Sequence, residues 1–389
     1  SMRPRSLSQA VIGTTLSVTL GLGAIGCGGG VTLGSDPSGT APILSGFTAS
    51  PASIAPGQSS VLSWTVTGAT GLTLDPGIGA VTGSSRAVTP AASTTYTLTA
   101  TNPSGTRSAQ ATVTVTSAPS AAVIVDHTCT DLEAVPATAI QSAKANLKIA
   151  YGHTSHGSQL ITGMNALHAG NSLYAWNGTG SGGALMLQDG AMAGDVGYHP
   201  AWVNNTRAFL GAPQAGSGRG SAHPDINAVI WAWCGQVSSR TSQELVDTYL
   251  APMAQLEADY PGVRFVYMTG HLDGTGTTGN LNQRNEQIRA FCRANGKVLF
   301  DFADIESFAP GGSTNFMPLL ADDGCAYDSD GNGTRDRNWA SDWLAAHPGD
   351  PLAALATACG SCAHSTQLNC VQKGRAAWWL WARLAGWIP

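Results

Sequence analysis

The stretch NLKIAYGHTSHGSQL, Asn146 to Leu160, joins an apolar run to a helical one. Asn146–Gly152 has the near-continuous hydrophobicity of a strand buried on both faces. From Gln159 the spacing changes, and Leu160, Ile161, Met164 and Leu167 fall on one helical face. The same switch recurs downstream. NAVIWAWC (Asn227–Cys234) and VRFVYMTG (Val263–Gly270) read as buried strands, and KVLFDFADI (Lys297–Ile305) as a strand running into a loop. The segments Ser242–Ala258 and Asn282–Asn295 read as helices. GRAAWWLWARLAGW (Gly374–Trp387) closes the chain as an aromatic-rich amphipathic helix. Trp378, Trp379, Trp381 and Trp387 at helical spacing are expected in a core rather than as a sugar platform. Strands alternating with helices predict an α/β domain over 122–389, with a parallel sheet covered by helices on both faces.

Ligands of such sheets bind beyond the carboxyl ends of the strands. Ser155 stands there, in the turn GHTSHGS, where Gly152 and Gly157 are expected to let the chain turn sharply. A serine on a strand-to-helix turn exposes its hydroxyl, and the helix N-terminus offers N–H groups to an oxyanion. The second strand is followed by Gly235-Gln236, a side-chain amide donor, and the third by His271-Leu272-Asp273. Shortly before the last helix, CGSCAHSTQLNC carries His364.

This order resembles the SGNH (GDSL-like) hydrolase family over about Asn146 to Trp387. The resemblance implies a three-layer, flavodoxin-like α/β fold, with Ser155 as nucleophile and His364 as general base. It implies oxyanion donors from Ser155, Gln236 and a glycine of the stretch around DVGYHP, Gly194 or Gly197. His153, His156 and His271 would lie beside these groups. Two departures matter. The family's Gly-Asp-Ser is replaced by GHTS, and Ser361 stands three residues before His364 where the family has Asp. That aspartate orients the imidazole and stabilises its cation. Three alternatives remain: a Ser–His dyad, an acid from elsewhere (Asp322 or Asp323), or a domain without catalysis.

The remainder of the 389 residues sets the context. Charged residues are 11% and hydrophobic ones 43%, enough apolar material for more than one core. Lys and Arg number 19 against 24 Asp and Glu, with no basic block, which argues against nucleic-acid binding. Arg3 and Arg5 precede an apolar stretch, Val11–Ile25, and AIGC ends at Cys27. Residues 1–27 therefore read as a signal peptide with a lipobox-like end and Cys27 as the lipidated residue. The lipobox is imperfect, with Ala24 where Leu is usual, so ordinary cleavage nearby is the alternative. Either way the chain is expected to be exported, at the outer membrane or cell surface through a lipid anchor, otherwise periplasmic or secreted. Residues 28–41 read as a flexible tether and 118–121 as a linker. Between them, 42–117 alternates apolar and polar residues in VLSWTV (Val61–Val66), LTL (Leu72–Leu74), TTYTLTA (Thr94–Ala100) and ATVTVT (Ala111–Thr116). That pattern predicts an antiparallel sandwich. It resembles bacterial immunoglobulin-like repeats, which implies a buried Trp64, a tyrosine corner at Tyr96 and a spacer role.

Cys359, Cys362, His364 and Cys370 have a spacing that could hold zinc. In an exported chain, disulfides among these cysteines and Cys129 or Cys325 are expected instead, with Cys234 a buried free thiol. The stretch DSDGNGTRD places Asp328, Asp330, Asn332, Thr334 and Asp336 at loop positions suited to a structural calcium ion. Trp339 at the twelfth position excludes a complete EF-hand, and a metal-free polar loop is the alternative. No organic cofactor is expected. The function expected is an exported serine esterase acting on O-acetylated glycans or other small esters. A non-catalytic, calcium-stabilised surface glycan-binding or adhesion protein on the same fold is the alternative, and a zinc protein the third.

Overall fold

The computed structural model describes residues 39–54, 57–115 and 121–389. The expected signal peptide with Cys27, most of the tether and most of the linker lie outside the described residues. The chain divides into two compact units between Thr116 and Ser117.

The smaller unit holds eight strands: β1 (Ile43–Ser50), β2 (Ser53–Ile54), β3 (Ser60–Thr67), β4 (Gly71–Asp75), β5 (Gly79–Ala80), β6 (Ser85–Val88), β7 (Thr94–Asn102) and β8 (Gly105–Val115). They form two sheets, ordered β1-β3-β6 and β2-β8-β7-β4-β5. All pairs are antiparallel except β2 with β8. The two-residue period of β7 buries Tyr96, Leu98 and Ala100. Tyr96 and Leu98 pack with Phe47, Leu62, Trp64, Leu74 and Val113. Trp64 is buried as expected and donates from Nε1 to the Gly83 carbonyl at 3.0 Å. Tyr96 is buried as well.

The larger unit is built on seven strands: β9 (Val123–Val125), β10 (Lys148–Gly152), β11 (Trp176–Asn177), β12 (Leu185–Met192), β13 (Ala228–Trp231), β14 (Arg264–Met268) and β15 (Val298–Phe300). Their order is β11-β12-β10-β13-β14-β15-β9, and every neighbouring pair is parallel. A parallel sheet needs a crossover between neighbours, which the helices supply. They are α1 (Ala137–Asn146), α2 (Ser158–Gly170), α3 (Ala201–Leu210), α4 (Ser242–Leu245), α5 (Ala251–Asp259), α6 (Asn280–Ala294), α7 (Phe302–Ile305), α8 (Trp339–Ala346), α9 (Pro351–Ala358) and α10 (Gln367–Leu384). Helix α10 packs on α1, α2 and α9, whereas α3 packs on α5 and α4 on α6. A short hairpin, β16 (Ala326–Tyr327) with β17 (Arg337–Asn338), lies before α8.

Two expectations are corrected. KVLFDFADI is only briefly a strand, because Asp301 caps a new helix by accepting from the Asp304 N–H, and α7 begins. The last helix starts earlier than its apolar pattern, at Gln367, because Thr366 accepts from the Asn369 N–H. Its tryptophans are core, with Trp378 and Trp381 fully buried. Helices α2 and α10 meet at two glycines. A Cβ on Gly163 would lie 1.8 Å from the Cys370 carbonyl oxygen, and one on Gly374 would lie 2.3 Å from the Gly163 carbonyl carbon. That contact brings the residues at the start of both helices together.

Candidate active site

Strand β10 lies inside the sheet between β12 and β13, and the turn after it carries His153, Thr154, Ser155 and His156 into α2. The glycines of this turn serve close packing rather than an unusual dihedral. A Cβ on Gly152 would lie 2.4 Å from the Trp231 ring, and one on Gly157 would lie 2.3 Å from Cβ of His153. Thr154 Oγ1 donates to the buried Asp195 at 2.9 Å, and Ser158 Oγ donates to the Ser155 carbonyl at 2.7 Å. His153 lies between Asp189, at 2.6 Å, and the Thr154 carbonyl, at 2.8 Å.

Ser155 and His364 come together from opposite ends of the domain. Ser155 Oγ lies 2.9 Å from His364 Nε2. His364 is exposed and adopts a left-handed backbone, φ 60°, uncommon for a residue with a side chain and enriched at functional sites. Its loop is anchored on both sides. The Ala363 carbonyl accepts from Gln159 Nε2 at 2.6 Å, and Cys362 is disulfide-bonded to Cys370, their Cα atoms 6.0 Å apart. The disulfide removes two members of the zinc set, and His364 is turned to Ser155. Cys129, Cys325 and Cys359 are free thiols rather than the disulfide partners expected.

Behind His364 stands a stack of histidines. The His156 ring lies parallel to that of His364, with centroids 4.4 Å apart, and to that of His271, 3.8 Å apart. Asp323 accepts from His156 Nε2 at 3.0 Å and lies 3.9 Å from His271 Nδ1. An acid is therefore present, but on His156. Asp322, the other candidate, pairs with Arg335 at 2.9 Å. The Nδ1 of His364 has no hydrogen-bond partner among the described residues. Burial lowers the pKa of His156, an effect that Asp323 opposes and that His271 and His364 reinforce. Burial raises the Asp323 carboxyl, but the His156 hydrogen bond and His271 outweigh it and leave it below the usual range. Donor atoms of His156, His271 and Asp323 lie within 4.8 Å of one another. His156 and Asp323 are bonded to each other, and His271 Nδ1 to the Leu272 carbonyl at 2.8 Å, so the cluster is internally satisfied.

The expected oxyanion groups divide. Gln236 Oε1 accepts from the Cys234 N–H at 3.1 Å, which leaves its Nε2 donors, like the Ser155 N–H, without a partner among the described residues. Gly197, not Gly194, is the loop glycine against this amide, since a Cβ there would lie 2.2 Å from Gln236 Cδ. Its N–H is held by Asp195 at 2.9 Å. Gly194 has a φ of 87° and nothing within 4 Å of its Cβ position.

Beneath the site runs a buried polar chain that the sequence reading missed. Lys373 Nζ donates to Glu306 Oε2 at 2.6 Å and to Gln159 Oε1, and lies 3.6 Å above the Phe302 ring. Glu306 also accepts from the Leu272 N–H. Burial lowers the Lys373 pKa and Glu306 opposes it. The network joins the His364 loop to the segment bearing His271. The one signal for it is a lysine among the apolar residues of the last helix.

In the Asp328–Asp336 loop the side chains fold onto their own backbone. Asp328 accepts from the N–H groups of Gly331, Asn332 and Gly333 at 2.8 to 3.2 Å, Asp330 from Asn332, and Asp336 from Ser329. The Gly333 N–H leads in holding the Asp328 carboxyl below its usual range. The carboxylates of Asp328, Asp330 and Asp336 do not converge to within 4.8 Å of one another.

No family model matches the chain, and no curated protein does. A solved structure of a "putative alpha-galactosidase" from Bacteroides fragilis NCTC 9343 is similar at 10% identity and a TM-score of 0.19, over 84% of this chain and 65% of that one. The chain thus spans less than two thirds of that protein's length, and a likeness this small carries no argument about fold or chemistry.

Proposed function

We propose that the larger unit is a serine ester hydrolase of SGNH type, acting on O-acetylated glycans or other small esters. The observation that carries this reading is the 2.9 Å contact of Ser155 Oγ with His364 Nε2 beyond the carboxyl end of β10. The strand order supports it, because β12-β10-β13-β14-β15 has the 2-1-3-4-5 sequence of flavodoxin-like sheets, whose ligands bind at this end. Ser155 Oγ attacks the ester carbonyl and its proton passes to His364 Nε2. The Ser155 N–H and Gln236 Nε2 donate to the oxyanion. His364 returns the proton to the leaving alkoxide, then activates the water that frees the acyl group. The cation formed on His364 lies over the neutral ring of His156, with the Asp323 charge behind it. This arrangement takes the place of a carboxylate on Nδ1. The smaller unit is proposed as an immunoglobulin-like spacer on an exported lipoprotein anchored through Cys27, on its sequence alone. The bare Nδ1 of His364 favours a second reading, a glycan-binding surface protein without turnover.

The test is hydrolysis of p-nitrophenyl acetate, and acetate release from acetylated xylan, by the full chain and by His364→Ala. Turnover lost in the variant supports the esterase. Saturable glycan binding with no turnover in either protein supports the second reading.

The Asp328–Asp336 loop is proposed as a structural calcium site on its oxygen spacing. Millimolar calcium is expected to raise the thermal midpoint by a few degrees, since a ligand at 100 times its Kd adds about 2.7 kcal/mol. Asp330→Ala should abolish the rise. An equal midpoint in calcium and in EDTA would remove the ion from the proposal.

A further inference from the structure

Two nucleophile–base pairs converge in this site, and only one of them includes a carboxylate. Cys234 follows β13, is partly exposed, and places its Sγ 3.3 Å from His156 Nδ1. The same Sγ lies 3.8 Å from Ser155 Oγ. His156 is 6% exposed and is fixed by Asp323 at 3.0 Å on its other nitrogen. A carboxylate only accepts, so Nε2 carries the hydrogen and Nδ1 presents its lone pair to the thiol. A nucleophile, a base within reach and a third group orienting the base make up the triad arrangement.

We propose that Cys234, with His156 as its base and Asp323 orienting that base, is a second nucleophile of the site that accepts acyl groups from activated esters. As Sγ attacks the carbonyl, the thiol proton passes to His156 Nδ1 and a C–S bond forms. The C–O bond to the leaving group then breaks, the proton goes to the leaving oxygen, and a thioester remains on Cys234. The reaction needs no oxidant or further reactant. It also explains the divided histidine stack: His364 serves the hydroxyl and His156 the thiol. The two rings stack 4.4 Å apart, so both nucleophiles face one pocket. The other described free thiols, Cys129, Cys292, Cys325 and Cys359, are all buried, and burial raises each of them. They serve as internal controls.

The proposal shares a pocket with the serine reading but not its residues, and the test separates the two. Ser155→Ala protein is treated with p-nitrophenyl acetate at neutral pH, and acetyl is located by peptide mass after rapid quenching. We expect Cys234 to be acetylated at least tenfold faster than the same cysteine in the urea-unfolded chain, and Cys129, Cys292, Cys325 and Cys359 to stay unmodified. Adding His156→Gln or Asp323→Asn should return Cys234 to the unfolded rate. Circular dichroism and unchanged melting identify which of those variants are folded. Iodoacetamide should report the same order of rates, independently of acyl chemistry. Acetylation of Cys234 at the unfolded rate, or a rate indifferent to both substitutions in folded protein, overturns the proposal. Wild-type turnover equal to that of Ser155→Ala would overturn the serine esterase while leaving this result standing.

Discussion

Replacing Ser155 with alanine is expected to lower kcat/KM for a short-chain aryl ester by about three orders of magnitude or more. That corresponds to about 4 kcal/mol or more of lost transition-state stabilisation. The fall should appear in kcat, because the hydroxyl bonds covalently to the acyl group and contributes little to binding the intact ester. His364→Ala should match it, and the double variant should be no worse than either single one, since the two groups act as a unit. Asp323→Asn should cost less, about tenfold, because the carboxylate reaches His364 only through the His156 ring. A Ser155→Ala protein that keeps more than a tenth of wild-type activity would remove the serine mechanism. So would a double variant whose losses multiply.

The second large effect concerns the fold. Gly163→Ala is expected to destabilise the larger unit by more than about 3 kcal/mol, beyond the usual range for an added methylene. Most overpacking is relieved by side-chain rotation. Here the new methyl would meet the Cys370 carbonyl oxygen at 1.8 Å and the Gly374 nitrogen at 2.8 Å, both backbone atoms of a buried helix. Relief requires α10 to move away from α2, which carries Lys373 away from Gln159 and loosens the loop that holds His364. Thermal melting should fall by about 6 °C or more, and ester hydrolysis should fall with it. Gly349→Ala is the control, because nothing lies within 4 Å of its Cβ position. A Gly163→Ala protein melting within about 2 °C of wild type would show that the two helices separate easily.

Much of this architecture is legible in the sequence. Strands β10, β13 and β14 are continuous apolar runs, and the parallel sheet follows from their alternation with helices. Ser155 and His364 were legible because each follows or precedes such an element. Strands β9 and β11, of three and two residues, are too short to show a period, and β12 is interrupted by Gln188-Asp189-Gly190. Asp323 lies in an irregular stretch where spacing carries no information, so it stood only as one of two candidates. Its bond to His156 rather than His364 depends on how three rings stack, which the order of residues does not record. Gln159 and Lys373 are 214 residues apart. Polar residues on amphipathic helices are read as facing water, and only packing shows that these two face each other.

The place of β9 has a consequence for how the unit is made. Val123–Val125 is the first strand of the larger unit, yet it pairs with Val298–Phe300, the last strand of the parallel sheet to be synthesised. The sheet therefore cannot close along that edge until the chain has emerged as far as Phe300. Such long-range pairing is slow to form. The base of the proposed site, His364, arrives later still. The smaller unit has no such dependence, since its strands all fall within Ile43–Val115 and can pair while the remainder is still being made. Synthesis thus yields a finished β unit joined to an unfinished larger unit, with the proposed nucleophile already present and the proposed base still to be delivered.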